Sequence, residues 1–119
     1  MLIQGIEISK GLIIDQPWID LILNGSKCWE MRSHATNFRG DFALIQKGTG
    51  HIVGLSTLID SLNPLSASEL TVYMDKHRVD YQSQPELLKW NTPWVLGNSR
   101  RIKPVPYKHK RGAVVWINL

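Results

Sequence analysis

The chain predicts an α+β domain, a small, partly closed β-barrel of about five to seven strands with two or three short helices inserted. Three observations point there. The 119 residues suffice for about one domain with one core. Several short apolar runs, bounded by Gly, Pro or Asn, have the character of strands, and only a few stretches carry a helical stripe or a cap signal. No internal repeat, linker or low-complexity tract interrupts them, so residues 1–119 read as a single domain.

Residues 12–14 form a short apolar run suited to a buried strand. A helix is expected from about residue 16, because the fixed φ and missing N–H of Pro17 suit a first turn and Asp15 can cap the exposed amides. Trp18, Leu21, Ile22 and Gly25 then make an inward stripe, with Asp20 and Asn24 on the polar face. Asn24-Gly25 stops the helix, since glycine accepts the left-handed C-cap conformation. Residues 27–32, KCWEMR, have no helical stripe and read as a strand. Strict alternation puts Glu30 and Arg32 on one face with Cys28 and Lys27 on the other, but Lys27 opens the strand and its stem can swing to either side. By spacing alone, Lys27 and Glu30 are also compatible with an ordinary surface ion pair.

Residues 41–46 and 51–59 give two strands around the glycine-rich turn 47–50, paired most simply as a hairpin. Asn63-Pro64 breaks the chain, and Ser66 with Glu69 has the form of a capping box for a helix through about His77. A weaker helix is expected from Pro85 to Trp90. Residues 94–96, 101–105 and 113–119 alternate like strands, with Pro104 and Pro106 marking an edge or a turn.

Composition narrows the function. No apolar stretch approaches the ~20 residues that span a bilayer, and the N-terminus lacks a basic segment followed by an apolar one, so a soluble cytoplasmic protein without a membrane partner is expected. The single cysteine, Cys28, excludes an internal disulfide and a cysteine-rich zinc site. His34, His51, His77 and His109 include no i, i+4 pair, so neither a metal nor another cofactor is expected. Net charge is only +4, but Arg100, Arg101, Lys103, Lys108, Lys110 and Arg111 lie close together, and no Asp or Glu follows Glu86. With Tyr107 and His109 they suggest a phosphate-binding edge, because clustered cations release counterions on binding a polyanion. Among the five tryptophans, Trp18 precedes residues 25–32 and Trp29 falls within them, and both offer surfaces for base stacking, while Trp116 reads as core.

QPWIDLILNGSKCWEMRS, followed by Arg39-Gly40, resembles the ASCH domain, the activating-signal-cointegrator homology module. That family's GxKxxExR motif is met here by Gly25, Lys27, Glu30 and Arg32, after a helix that opens with Gln-Pro-Trp. VGLSTLIDSL and GAVVWINL also sit where the family has its middle and final strands. The resemblance implies a PUA-like barrel, a fold that commonly binds RNA. Some members look like metal-independent ribonucleases, and small bacterial members are amidohydrolases acting on N4-acylated cytidines. In those amidohydrolases a threonine stands where this chain has Glu30, and a second carboxylate follows the long helix. Asp80 and Glu86 are the nearest candidates for that carboxylate, and Ser26 or Ser33 for the hydroxyl. The Gln16-Pro17-Trp18 segment looks closer to the coactivator-type branch.

The expected function is RNA or nucleotide binding in a cleft around Lys27, Glu30 and Arg32, which are also the candidate catalytic residues. Gln16, Trp18, Arg39, Arg100, Arg101, Lys108, His109, Lys110 and Arg111 are the candidate nucleic-acid contacts. Ribonuclease chemistry would use Glu30 as base for the 2′-hydroxyl, with Lys27, Arg32 or His109 steadying the phosphorane. N4-acylcytidine hydrolysis, with a desolvated Lys27 activating a hydroxyl or water, is the alternative, and a protein-interaction module is the third.

Overall fold

The computed structural model describes residues 1–109, 112 and 115–119. The chain opens on a two-stranded ribbon, β1 (Leu2–Ile3) and β2 (Ile6–Glu7). Gln4 and Gly5 join them with φ values of 52° and 76°, the two successive positive values that a tight hairpin of matching twist requires. Sequence reasoning had not identified this ribbon.

Six strands make one mixed sheet that curves into a half-barrel: β3 (Lys10–Ile14), β4 (Trp29–Arg32), β5 (Gly40–Gln46), β6 (His51–Ser61), β7 (Thr92–Pro106) and β8 (Trp116–Asn118). Their spatial order is β4-β7-β6-β5-β3-β8. Strands β5 and β6 form the expected antiparallel hairpin, whereas β3 and β5 run parallel, with α1 (Trp18–Leu23) and β4 intervening in the chain. Burial on both faces of β5 explains its unbroken FALI run. Phe42 and Leu44 pack with Leu12, Ile19, Ile22 and Trp94, while Ala43 and Ile45 pack with Ile8, Ile52, Leu55 and Ile117.

Helix α1 lies against the sheet because β6 carries a glycine beneath it. A Cβ on Gly54 would collide with the Leu23 side chain and stand 2.6 Å from the Arg100 carbonyl oxygen. Gly54→Ala is therefore expected to lower stability by about 1–3 kcal/mol, read from the midpoint of chemical denaturation.

Several sequence expectations are corrected. Helix α1 begins at Trp18, with Pro17 at its N-cap; the Asp15 side chain accepts the Gln16 N–H, and it is the Asp15 backbone carbonyl that accepts the first-turn N–H of Ile19. Its buried stripe is Ile19, Ile22 and Leu23; Trp18 and Leu21 are half-buried. Gly25 does terminate the helix, with φ at 84° and its N–H on the Ile22 carbonyl. The Ser66–Glu69 capping box is present, but the helix divides into α2 (Ala67–Val72) and α3 (Met74–His77). The physical reason is His77, whose ring Nε2–H donates to the Leu70 carbonyl, the acceptor that a continuous helix would offer to residue 74.

Residues 85–89 form a 3-10 turn in place of the second weak helix. Residues 94–96 and 101–105 belong to one strand, β7, in which Gly97-Asn98-Ser99 is absorbed as an irregularity against β6 instead of ending the pairing. Pro104 and Pro106 fall where an edge was expected, because β4 pairs only with Thr92 to Val95 of β7. Trp116 is half-buried and stacks on Trp94, with ring centroids 5.6 Å apart. Among the described residues, no helix is long and apolar enough to cross a membrane.

Candidate functional site

Lys27 owes its position to two elements that grip the segment before β4. Its own N–H donates to the Leu21 carbonyl at the end of α1. On the other side Cys28 N–H donates to Lys76 O, and Arg78 Nε donates to Ser26 O. Between these bonds the Lys27 side chain runs inward, and Nζ donates to the His77 carbonyl at 2.5 Å. Lys27 has swung to the side of Glu30, against strict alternation, because it precedes the first paired residue of β4.

Glu30 and Arg32 follow on one face of β4. Arg32 Nε and Nη2 both donate to Glu30 Oε2, at 3.2 and 3.0 Å, and Nη2 also reaches the Ile13 carbonyl at 3.1 Å. Lys27 Nζ stands 3.9 Å from Glu30 Oε1. Three charges thus meet with Glu30 between two cations. Lys27 is 1% exposed and the Glu30 side chain 9%, which excludes the ordinary surface ion pair.

These side chains form the floor of a cleft of about 380 Å³. Ile13, Ile14, Met31, Val79 and Leu87 give it apolar walls, and Trp18, Tyr81 and Trp90 add aromatic ones. Asp15 and Lys47 stand at the mouth as an exposed pair 3.8 Å apart. Tyr81 donates its hydroxyl to the Trp90 carbonyl, and burial, aided by the Glu30 charge, raises its phenol above the usual range. Burial pushes the His77 imidazole down, and its network of Nε2–H to Leu70 O with Nδ1 accepting from Val79 N–H holds the neutral ring in one tautomer.

Burial likewise pushes the Lys27 ammonium down to about 8 from 10.5, with the Glu30 charge opposing the fall. The native state then releases this proton before the unfolded state does. Between about pH 8 and 10.5 the unfolded chain binds more protons, so stability contributed by this group rises with pH. The rise is expected to be about 3 kcal/mol. Urea melts of the wild type minus those of Lys27→Met across this window measure it, and a flat difference would contradict the burial of a charged amine.

The structure brings Lys27, Glu30, Arg32 and Trp18 to one cleft, but not the other candidates. Gln16 is exposed between the cleft-lining Asp15 and Trp18 without lining the cleft itself. Arg39 binds the Thr36 and Phe38 carbonyls and pairs with Asp60 at 3.4 Å. Arg100 binds the Asn98 carbonyl, and Arg101 pairs with Asp20 on α1 at 3.4 Å. Lys108 and His109 are exposed beyond β7, and Lys110 and Arg111 lie outside the described residues. Asp80 is occupied by Ser83, and neither it nor Glu86 lines the cleft. Trp29 is buried in the core against Tyr73, and half-buried Cys28 packs in the same apolar cluster.

Sequence reasoning missed Lys47, Tyr81 and Trp90 as cleft residues. Tyr81 and Trp90 frame the 3-10 turn at 85–89, and their pairing through a side-chain hydrogen bond has no local sequence signature. Among the described residues, no three His, Cys, Asp or Glu side chains come together as a metal site.

The ASCH domain family model matches residues 12–106. The structure is similar to the crystal structure of ASCH from Zymomonas mobilis, with a TM-score of 0.66 at 12% identity, over 82% of this chain and 72% of that one. A serine-to-alanine mutant of the same Zymomonas mobilis protein gives the same values. No curated protein matches the chain. At this identity the likeness establishes the fold.

Proposed function

This chain belongs to the ASCH domain family, and from that membership we propose that it binds RNA or a nucleotide in the cleft floored by Lys27, Glu30 and Arg32. The observation that carries the reading is the buried ion triplet opening into a cleft of about 380 Å³ with three aromatic side chains in its wall. That space suits a ligand the size of one nucleoside. Trp18 and Trp90 offer stacking surfaces, and Lys47 at the mouth offers a phosphate contact. The exposed cations beyond the cleft, Arg39, Arg101, Lys103 and Lys108, would then track a longer strand's phosphates.

Fluorescence anisotropy with single-stranded RNA, repeated from low to high salt, tests this. Affinity is expected to fall linearly in log–log form, and Lys47→Ala should reduce the slope by about 0.7, the contribution of one single-strand phosphate contact. Absence of RNA binding even at low salt would overturn the reading and favour the protein-interaction module instead.

Cleavage is a second use of the same residues. Glu30 would take the 2′-hydroxyl proton while Lys27 and Arg32 steady charge on the phosphorane, and end-labelled RNA incubated in chelator would show fragments. Hydrolysis of N4-acylated cytidines is favoured by one observation, the lowered Lys27 ammonium. It lacks a serine or threonine among the cleft-lining residues, and the Tyr81 hydroxyl is already committed to the Trp90 carbonyl. Water would have to be the nucleophile, and release of cytidine from N4-acetylcytidine by wild type but not by Lys27→Met would demonstrate it.

A further inference from the structure

The two carboxylate oxygens of Glu30 are used differently. Oε2 receives two N–H groups from Arg32, whereas Oε1 has Lys27 Nζ at 3.9 Å, beyond hydrogen-bond reach. Among the described residues, no fully buried side-chain nitrogen or oxygen lacks a partner. Oε1 therefore meets solvent, and because Glu30 lines the cleft and is otherwise buried, that solvent is the cleft. Arg32 commits Nε and Nη2 to Glu30 and Ile13, which leaves Nη1 without a protein acceptor among the described residues. Lys27 commits one of its three N–H groups to the His77 carbonyl. Along the floor, Lys27, Glu30 and Arg32 thus offer a donor, an acceptor and a donor.

Ring edges differ in their ability to answer that order. The imide edge of uracil or thymine presents C=O, N–H, C=O, which is acceptor, donor, acceptor. Cytosine presents a donor followed by two acceptors, guanine an acceptor followed by two donors, and adenine only a donor beside an acceptor. Each of the last three sets like against like somewhere or leaves one floor group unanswered, and an unpaired polar group in a desolvated pocket is strongly penalised.

Resting on the proposal that the cleft binds RNA or a nucleotide, we infer that its floor selects a uracil-type imide. Glu30 Oε1 accepts the ring N3–H, Lys27 and Arg32 donate to the two flanking carbonyls, and the ring lies against the indoles of Trp18 and Trp90. The carboxylate is what makes the site choose, since it can only accept and so demands the one protonated ring nitrogen between two carbonyls.

Quenching of tryptophan fluorescence by uridine, 3-methyluridine and cytidine, with tetranucleotides of U and of C as tighter-binding counterparts, tests this on the wild-type protein. Uridine is expected to bind at least about tenfold more tightly than either competitor. The methyl of 3-methyluridine removes the N3–H while keeping the ring and both carbonyls, so this comparison needs no variant that could misfold. Equal affinity for uridine and 3-methyluridine, or preference for cytidine, would overturn the imide assignment and leave nucleotide binding in the cleft standing. Absence of quenching by every nucleoside, together with RNA binding unchanged in Lys27→Met, would overturn both.

Discussion

Lys27→Met is expected to weaken nucleotide or RNA binding by roughly a hundredfold while leaving the domain within about 1 kcal/mol of wild-type stability at pH 7. The two effects separate because the ammonium is a burden to the fold. Burial is the largest influence on its proton, and the Glu30 charge only partly answers it. Methionine keeps an unbranched stem in the same space and removes the desolvated charge. Against that gain stands the lost bond to the His77 carbonyl, and Glu30 keeps both donors from Arg32. The opposing terms are similar in size, so the melting temperature should move little. Binding has no such compensation, because a thioether donates nothing to a ligand carbonyl or phosphate. A collapse of the fold equal to the loss of binding would make the triplet a structural device and remove the basis for a ligand on this floor.

What the sequence disclosed and what it withheld follow from the range of the interactions. The GxKxxExR spacing exposed the charged triplet because Lys27, Glu30 and Arg32 sit within six residues and share one helix-to-strand turn. The β5–β6 hairpin and the Ser66–Glu69 cap were equally legible, each being a local pattern. The burial of Lys27 was not, because it depends on residues 76–78 docking against 26–28 across about fifty positions of chain. The break between α2 and α3 escaped notice for a similar reason, since a histidine ring takes a backbone acceptor seven residues away. The basic cluster is placed differently from the triplet. Arg100 and Arg101 are neighbours of Lys103 and Lys108 in sequence, yet alternation along β7 and the Arg101–Asp20 pair spread them over the surface instead of gathering them at the cleft. A turn brings the triplet's side chains together, whereas an extended strand sends neighbouring side chains to opposite faces.

Glu30→Gln is expected to destabilise the domain by about 3 kcal/mol at pH 7, to lose up to about 1.4 kcal/mol of that penalty above pH 9, and to regain the same share on adding Lys27→Met. Removing one partner of a buried pair commonly costs about 3–5 kcal/mol, because the other charge is left unpaired. Here Lys27 has an escape. Its ammonium already titrates at about 8, so shedding the proton at pH 7 costs about 1.4 kcal/mol. That figure caps the Lys27 share of the loss; the remainder is the contact in which Arg32 Nε and Nη2 both donate to Glu30 Oε2, about 1.5–3 kcal/mol for a charge-assisted contact. Raising the pH removes the first share and leaves the second, since the guanidinium stays charged. The double variant has no ammonium to strand, so its stability should track the Arg32 share alone at every pH. Denaturation of the four proteins at pH 7 and 9.5 completes the cycle. A penalty in Glu30→Gln that persists unchanged at pH 9.5 would mean that Lys27 is not the group being stranded, and the buried pair would lose its claim to organise the cleft.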